Sequence, residues 1–349
     1  MPVETVELSP GYRISRLLRG GWQLSAGHGA LDRERAMGDM GTFLDAGVTA
    51  FDCADIYTGV EEMIGAFRDR LRRERGEVAA RALKVHTKFV PDWDALPTLS
   101  HSDVSGIVER SLQRLKAERL DLVQFHWWNY DAPGMIEAAG HLLDFQRQGK
   151  IDLLGGTNFD TARSRTLTEA GIPLASMQVQ YSLLDARPEA GLVPLCAQTG
   201  MKLLCYGTLA GGFLSERWVG ATEPREPYAN RSLVKYKLVI DEWGGWDLFQ
   251  VLLGTLKAIA DRHGAGIAAV ATRWVLDKPQ VAGVIVGARY ADRLAGNLAA
   301  FDVRLDDGNR AAIAAVLAER RGPGGDVFEL ERDRKGPHGR IMKVNLNRE

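Results

Sequence analysis

Cysteine is scarce in this chain, with three in 349 residues, and Cys53, Cys196 and Cys205 show no C-x-x-C spacing and lie inside apolar runs. An odd number in such surroundings argues against a disulfide scaffold or a thiol redox pair and leaves reduced, packed thiols. Long hydrophobic runs are missing too. No stretch approaches the roughly 18 uninterrupted apolar residues of a membrane helix, and residues 1–11, which hold Glu4 and Glu7, contain no apolar segment suited to export. Neither membrane anchoring nor secretion is expected, and a cytoplasmic location is. An excess of one charge is absent as well: 44 Lys and Arg stand against 45 Asp and Glu, for a formal net charge of -1, which removes the electrostatic case for nucleic acid or an acidic membrane as partner. No G-x-G-x-x-G follows a strand-like run and no G-x-x-x-x-G-K-[ST] occurs, so neither a Rossmann nucleotide site nor a P-loop is implied. Internal repeats and low-complexity tracts are lacking, and no metal ion is expected.

What the chain does have is alternation. Short β-branched or aliphatic runs at 17–23, 50–52, 83–88, 120–126, 151–158, 177–181, 202–206 and 282–286 are separated by longer segments. Of these, 33–45, 103–114, 135–147 and 267–276 carry apolar residues three and four apart with charges between them, as amphipathic helices do. About eight βα units in a row predict the α/β class, a (β/α)8 TIM barrel with long loops at the C-terminal face. A single domain over 1–349 is expected, with its core at about 12–318 and a tail at about 319–349. Ahead of the first unit, 3–8 and 12–18 flank Ser9-Pro10-Gly11, which predicts an N-terminal β-hairpin placed to plug the barrel bottom. Two segments rich in Gly, Pro and charge break the rhythm. The first, 213–246, carries Trp218, Tyr228, Tyr236, Trp243 and Trp246, and is expected to pack over a ligand site; the second, from about 321, reads as a tail with residual order.

Four polar groups close strand-like runs or follow them directly: Asp52 and Tyr57 after Phe51, Lys88 after Thr87, and His126 after Phe125. In a parallel β/α barrel the strand C-termini converge on one face, so these groups can meet around one reacting atom. A phenol with an ordinary pKa near 10 is a poor acid at neutral pH. A Lys88 ammonium would favour the tyrosinate and lower the Tyr57 pKa, and an Asp52 carboxylate would hold that lysine charged. His126 would offer an N–H or imidazole contact to a carbonyl oxygen and stabilise charge growing there. Singly, each is more often an ion pair or a packed ring. Jointly, at the ends of three strands, they point to carbonyl reduction, with hydride supplied by a cofactor.

In this order and spacing the four residues resemble the aldo-keto reductase superfamily. The likeness continues in Gly155-Gly156-Thr157-Asn158-Phe159, in Gln178-Val179-Gln180-Tyr181-Ser182-Leu183-Leu184, in Tyr206-Gly207-Thr208-Leu209-Ala210-Gly211-Gly212, and in Val284-Ile285-Val286-Gly287-Ala288-Arg289 with Asn297. The resemblance runs from about 12 to 318 and implies NADP(H), bound extended across the barrel top. It gives Thr157, Asn158 and Gln178 to the carboxamide and Tyr206 to stacking on the nicotinamide. Gly207, Leu209 and Gly211 fall to the pyrophosphate, with Arg217 beside them. Arg289 and Arg293 fall to a ribose 2'-phosphate and Asn297 to adenine, while Gly21, Trp22, Asp52 and Gly287 complete the nucleotide set. Cys53 and Gly296 depart from residues common at those positions, and neither removes a catalytic group.

Trp22, Trp127, Trp128 and Tyr130 offer an aromatic wall for an aldehyde or ketone, or for the alcohol in the reverse direction. Adjacent Trp127 and Trp128 should diverge if extended backbone continues, so one packs in the scaffold and the other lines the pocket, which of the two being open. Trp22, Tyr57, His126 and Trp127 form the expected substrate contacts. Two other classes stay open by the same resemblance: an NADP-retaining epimerase or dehydratase, and a nucleotide-sensing regulatory subunit like the potassium-channel β subunits. The sequence carries no sign of oligomeric state.

Overall fold

A computed structural model describes residues 2–25, 30–228 and 230–347; residues 348–349 of the predicted tail lie outside this set. The chain opens with an antiparallel hairpin of β1 (Thr5–Ser9) and β2 (Tyr12–Ser15) turned at Gly11, where a φ of +76° suits a residue without Cβ. Eight parallel strands then close a barrel in sequence order: β3 (Leu17–Gly20), β4 (Ala50–Asp52), β5 (Lys84–Phe89), β6 (Leu120–Phe125), β7 (Ile151–Thr157), β8 (Leu174–Gln180), β9 (Lys202–Tyr206) and β10 (Val281–Gly287), the last pairing back with β3. The (β/α)8 fold is therefore present, with the N-terminal hairpin.

The outer ring comprises α1 (Arg33–Asp45), α2 (Val60–Ala82), α3 (His101–Leu115), α4 (Met135–Arg147), α5 (Thr161–Glu169), α6 (Leu192–Thr199), α7 (Arg231–Trp243), α8 (Trp246–His263), α9 (Ile267–Leu276), α10 (Leu294–Leu298) and α11 (Asp307–Leu317). Local chemistry sets their starts. Ser100 and Asp103 form a reciprocal capping box at α3, and the Asp32, Asp160 and Asp306 carboxylates accept backbone N–H groups at α1, α5 and α11. Burying one leucine, isoleucine or phenylalanine on the strand-facing side of these helices contributes about 1.5–3 kcal/mol.

Two apolar layers result, one between strands and helices and one inside the barrel. The inner layer joins Leu8, Tyr12 and Ile14 of the hairpin to Leu18, Ala50, Leu122, Leu204 and Ala282 near the strand starts, so the hairpin closes the bottom of the barrel. The opposite mouth is left for loops. His86 on β5 is fully buried close to Tyr12, with neither ring nitrogen hydrogen-bonded, and burial with the nearby Lys88 and Lys84 charges pulls its pKa down to about 3. An unfolded chain binds that proton near the ordinary value of 6.5, so the resulting stability is complete above this value and is lost as the pH falls toward 3. Thermal unfolding of wild type and His86→Leu at about pH 7.5 and pH 5 checks this: relative to the variant, wild type should lose about 2 kcal/mol across the interval.

The 213–246 segment is more regular than its composition suggested, because it holds a 3-10 turn at Glu216–Trp218 and the whole of α7. Its tryptophans join the main core between strands and helices. Phe213 and Trp218 lie 4.8 Å apart, Trp218 and Trp246 5.8 Å, and Trp246 and Phe249 5.3 Å, filling the space beneath an added helical layer. Trp243 is fully buried, and the Tyr228 hydroxyl bonds to the Pro224 carbonyl. Among the five aromatics expected over a ligand, Tyr236 packs against Gly207 and Gly211, and Trp218 donates from its indole to the Gly212 carbonyl at 3.1 Å.

Candidate active site

The strand ends bring Asp52, Tyr57 and Lys88 together. Pairing of Asp52 on β4 with His86 on β5 sets Lys88 two residues further up the barrel. There its ammonium donates to Asp52 Oδ1 at 2.9 Å, to Oδ2 at 2.8 Å and to the Cys53 carbonyl at 2.8 Å, and lies 5.1 Å from the Tyr57 ring centre. Burial alone would discharge this lysine; the Asp52 carboxylate and the Tyr57 phenol more than reverse that and raise its pKa to about 12. The Tyr57 result differs from expectation. Burial pushes the phenol above its ordinary value, Lys88 pulling the other way, so Tyr57 carries its proton throughout the neutral range. That suits a proton donor, with Lys88 placed to stabilise the tyrosinate left behind.

The loop bearing Tyr57 is fixed by buried acids. Asp55 accepts the Ile56 and Val90 N–H groups at 3.0 Å each, tying this loop to the end of β5, and Thr87 donates to Glu61 at 2.6 Å. Gly21 allows the neighbouring loop to close in: its N–H meets the Asp52 carbonyl at 2.7 Å, and a Cβ there would stand 2.8 Å from the same oxygen. Trp22 then packs 5.0 Å from Tyr57. Burial pushes the Cys53 thiol well up, in keeping with an inert packed residue.

His126 makes no direct bond with these three, although its backbone N–H donates to the Phe89 carbonyl next to Lys88 at 3.0 Å. Its Nδ1 lies 2.9 Å from the Thr157 carbonyl, which only accepts, so Nδ1 carries the proton. Burial and the Arg332 charge hold the imidazole neutral, with a pKa near 3. A neutral ring protonated on Nδ1 has a bare Nε2, and that atom is buried without a hydrogen-bond partner among the described residues. Of the N–H or imidazole contact expected from His126, the ring so placed offers Nε2 as an acceptor.

The two tryptophans diverge as expected, but Trp127 is the scaffold residue. It is fully buried, donates from its indole to the Ala132 carbonyl at 3.3 Å, and packs against Phe125 at 5.9 Å. Trp128 is half-buried and stands edge to face with His126 at 4.3 Å. The substrate contact expected of Trp127 thus falls on a fully buried side chain.

Several residues assigned to the nicotinamide are juxtaposed. Tyr206 is half-buried and donates from its hydroxyl to Asn158 Oδ1 at 2.9 Å, while Asn158 holds a φ of +61°. Gln178 donates its amide N–H groups to Asp52 at 2.6 Å and to Gln124 at 3.0 Å, and Gln124 donates to Asp52 at 3.2 Å. Gln178 Oε1 and Asn158 Nδ2 thus remain as acceptor and donor, the complement of a carboxamide. Thr157 is buried beside them. The 207–212 loop follows with Leu209 half-buried and Gly211 exposed, and a Cβ on Gly207 would lie 2.4 Å from the Tyr236 hydroxyl. Arg217 is exposed over Trp218. At the far end Gly287 closes β10, and Arg289, Arg293 and Asn297 follow it; the buried Arg19 donates to the Arg289 carbonyl at 3.4 Å, and Arg293 is exposed with no ion pair among the described residues.

Sequence reading missed the tail. Residues 319–347 run back over the barrel mouth and include α12 (Glu329–Arg332) and α13 (Pro337–Arg340). Arg332 donates to the Trp127 carbonyl at 2.5 Å, to the Trp128 carbonyl at 2.6 Å and to the Asn158 carbonyl at 2.8 Å, and stacks 3.8 Å over Tyr130. Phe328 faces His126 edge-on at 5.8 Å. Farther along, the Asn347 amide donates to the Val90 carbonyl at 2.8 Å. The tail therefore ties the ends of β5, β6 and β7 together; its Glu–Leu–Glu–Arg pattern carries no periodicity that announces this.

Comparison with known proteins identifies this geometry. A sequence model of the aldo/keto reductase family matches residues 16–318. The chain belongs to that family. It is an oxidoreductase whose family uses nicotinamide cofactors and small-molecule substrates, and no helix among the described residues is long and apolar enough to cross a membrane. The NADH-specific methylglyoxal reductase of Escherichia coli is 25% identical over 343 residues, covering 91% of this chain and 98% of that protein. The aldo-keto reductase YhdN of Bacillus subtilis is 26% identical over 291 residues, covering 81% and 84%. Flagellar radial spoke protein 5 of Chlamydomonas reinhardtii is 29% identical over 260 residues; that match takes in 64% of this chain and only 49% of the algal protein.

Proposed function

We propose that this aldo/keto reductase transfers hydride between NADPH and a small aldehyde or ketone, or the corresponding alcohol in reverse, with Tyr57 as proton donor. The observation that carries the reading is the buried Lys88–Asp52 pair beneath the Tyr57 ring at the strand ends. A nicotinamide supplies hydride when bound. Asn158, Gln178 and Tyr206 are the residues to hold it, because they leave one donor, one acceptor and one aromatic face for an amide-bearing ring. As the hydride arrives, charge grows on the carbonyl oxygen, and the Tyr57 hydroxyl delivers its proton there while Lys88 faces the new tyrosinate.

NADPH is preferred over NADH in this reading because Arg293, without an ion pair among the described residues, can take a 2'-phosphate. The NADH-specific name of one relative makes the nucleotide choice a necessary test. Oxidation of each nucleotide should be followed spectrophotometrically with a panel of small aldehydes, ketones and sugars, methylglyoxal among them. Turnover with NADPH is expected, and Arg293→Ala should raise KM for NADPH about tenfold or more with KM for NADH little changed. Equal effects on both nucleotides would remove the arginine from the 2'-phosphate, and no turnover across the panel would count against the reductase reading.

A further inference from the structure

One guanidinium at the barrel mouth answers no acid. Arg332 of the tail lies outside the 16–318 span that the family model matches. It gives its terminal N–H groups to three backbone carbonyls, those of Trp127 and Trp128 after β6 and of Asn158 after β7, and to no carboxylate among the described residues. Of the three, Asn158 has the unusual backbone. Its φ of +61° is left-handed, a conformation that a residue with a Cβ holds at a cost and keeps only where its surroundings impose it. Here two bonds do so. The Asn158 N–H donates to the Gln178 carbonyl at 2.9 Å, and the Asn158 carbonyl accepts from Arg332 at 2.8 Å, so the peptide groups on both sides of its Cα are tied down. That conformation sets the direction of the Cα–Cβ bond and brings Oδ1 to 2.9 Å from the Tyr206 hydroxyl. The Trp127 and Trp128 carbonyls anchor the same guanidinium to the end of β6, next to His126, whose Nδ1 donates to the Thr157 carbonyl one residue before Asn158.

We infer that Arg332 is a positioning residue for the nicotinamide end of the nucleotide: by holding the Asn158 carbonyl it keeps the left-handed turn, and the turn aims the Asn158 amide at the carboxamide. This rests on the reading of Asn158, Gln178 and Tyr206 given above and adds a residue to it. Arg332 acts here through the backbone and needs no contact with the nucleotide. Without it the Asn158 carbonyl must find another donor, the backbone relaxes toward an ordinary negative φ, and the side chain swings away from Tyr206.

Calorimetric titration tests this without turnover. Two probes are compared, NADP+ and 2'-phospho-ADP-ribose, which lacks only the nicotinamide; NAD+ and ADP-ribose form the matching pair for an enzyme that prefers NADH. Arg332→Met should weaken NADP+ about tenfold, the scale of a lost hydrogen bond to a charged donor, and leave 2'-phospho-ADP-ribose within about twofold of wild type. Asn158→Gly removes the amide and accepts a positive φ freely, so it should weaken NADP+ to a similar degree. Because Arg332 works through that amide, adding Arg332→Met to Asn158→Gly should weaken NADP+ by no more than about a further twofold. Equal weakening of both probes by Arg332→Met would make the arginine a general support of the tail and overturn the inference. A double variant whose loss is the product of the two single losses would do the same, as would wild-type affinity for NADP+ in Arg332→Met. The reductase reading fails separately: the expected pattern of affinities in a protein that turns over no carbonyl would keep Arg332 in its role and remove the reaction.

Discussion

Tyr57→Phe is expected to lower kcat by about 100- to 10,000-fold, the range that loss of a positioned general acid produces, while nucleotide affinity changes by less than about twofold. The substitution removes one oxygen and little volume. The phenyl ring keeps its packing against Trp22 and its place above Lys88, and the Lys88–Asp52 pair is unaltered because neither group takes its main partner from the phenol. What disappears is the proton that must reach the carbonyl oxygen as hydride arrives. Pre-steady-state mixing with the reduced nucleotide and fluorescence titration separate the two quantities. Retention of most activity would mean that another group or water supplies the proton, and would withdraw the assignment of Tyr57 without touching the fold. A fall in kcat/KM carried wholly by KM would give Tyr57 a binding role instead.

The parts of this molecule that sequence discloses are those with a period or a terminus. β4 and β9 fall where the apolar runs placed them, and α1, α4 and α9 match their predicted limits. Asp52 and Lys88 were legible for a related reason: a charged residue at the end of an apolar run has nowhere to go except the open end of the barrel. Boundaries failed where a tertiary bond took over from pattern. The first barrel strand stops at Gly20 rather than reaching Gln23, since the Gly21 N–H turns to the Asp52 carbonyl and Trp22–Leu24 winds into a 3-10 turn. Strand β8 begins three residues before the predicted Met177, in Leu174-Ala175-Ser176, whose small residues hide the run. Which of Trp127 and Trp128 faces the site depends on the turn after β6, and the proton position on His126 depends on a carbonyl thirty-one residues away. Neither leaves a trace in local composition. The tail was least legible of all, because its partners are backbone carbonyls and side chains far away in sequence, such as Thr161 for Asp326, Glu242 for His338 and Asp92 for Asn347.

A buried ion cluster at the tail sets the other large expected effect. Arg187, just after β8, lies between two carboxylates, donating to Asp185 at 2.7 and 3.0 Å and to Glu331 of the tail at 3.1 and 3.3 Å, with Lys235 of α7 3.7 Å from Glu331. Asp185 and Glu331 are wholly buried side chains, and two cations answer two anions. Although burial opposes ionisation, Lys235 and Arg187 hold the Glu331 carboxyl down at about 2, so its contribution is full above the ordinary carboxylate value and is lost as the pH falls from about 4.5 toward 2. Glu331→Ala leaves two cations facing one anion in a closed space, and breaking a buried pair in this way costs about 3–5 kcal/mol. The tail gives the molecule a cheaper escape, since undocking α12 lets water reach Arg187. Undocking also withdraws Arg332 from the Trp127, Trp128 and Asn158 carbonyls and Phe328 from His126. The expected result is therefore a lower unfolding temperature together with faster proteolysis within 319–347 and a drop in kcat/KM, with Glu331→Gln behaving in the same direction. The double variant Arg187→Met with Glu331→Leu removes charge from both sides and should recover much of the unfolding temperature, since a buried pair replaced by apolar groups of similar size is often neutral. Proteolysis of Glu331→Ala at the wild-type rate, with activity unchanged, would show that the tail is held by its other contacts, those of Arg332, Asp326, His338 and Asn347, and that the ion cluster serves α7 and the β8 loop rather than the mouth of the barrel.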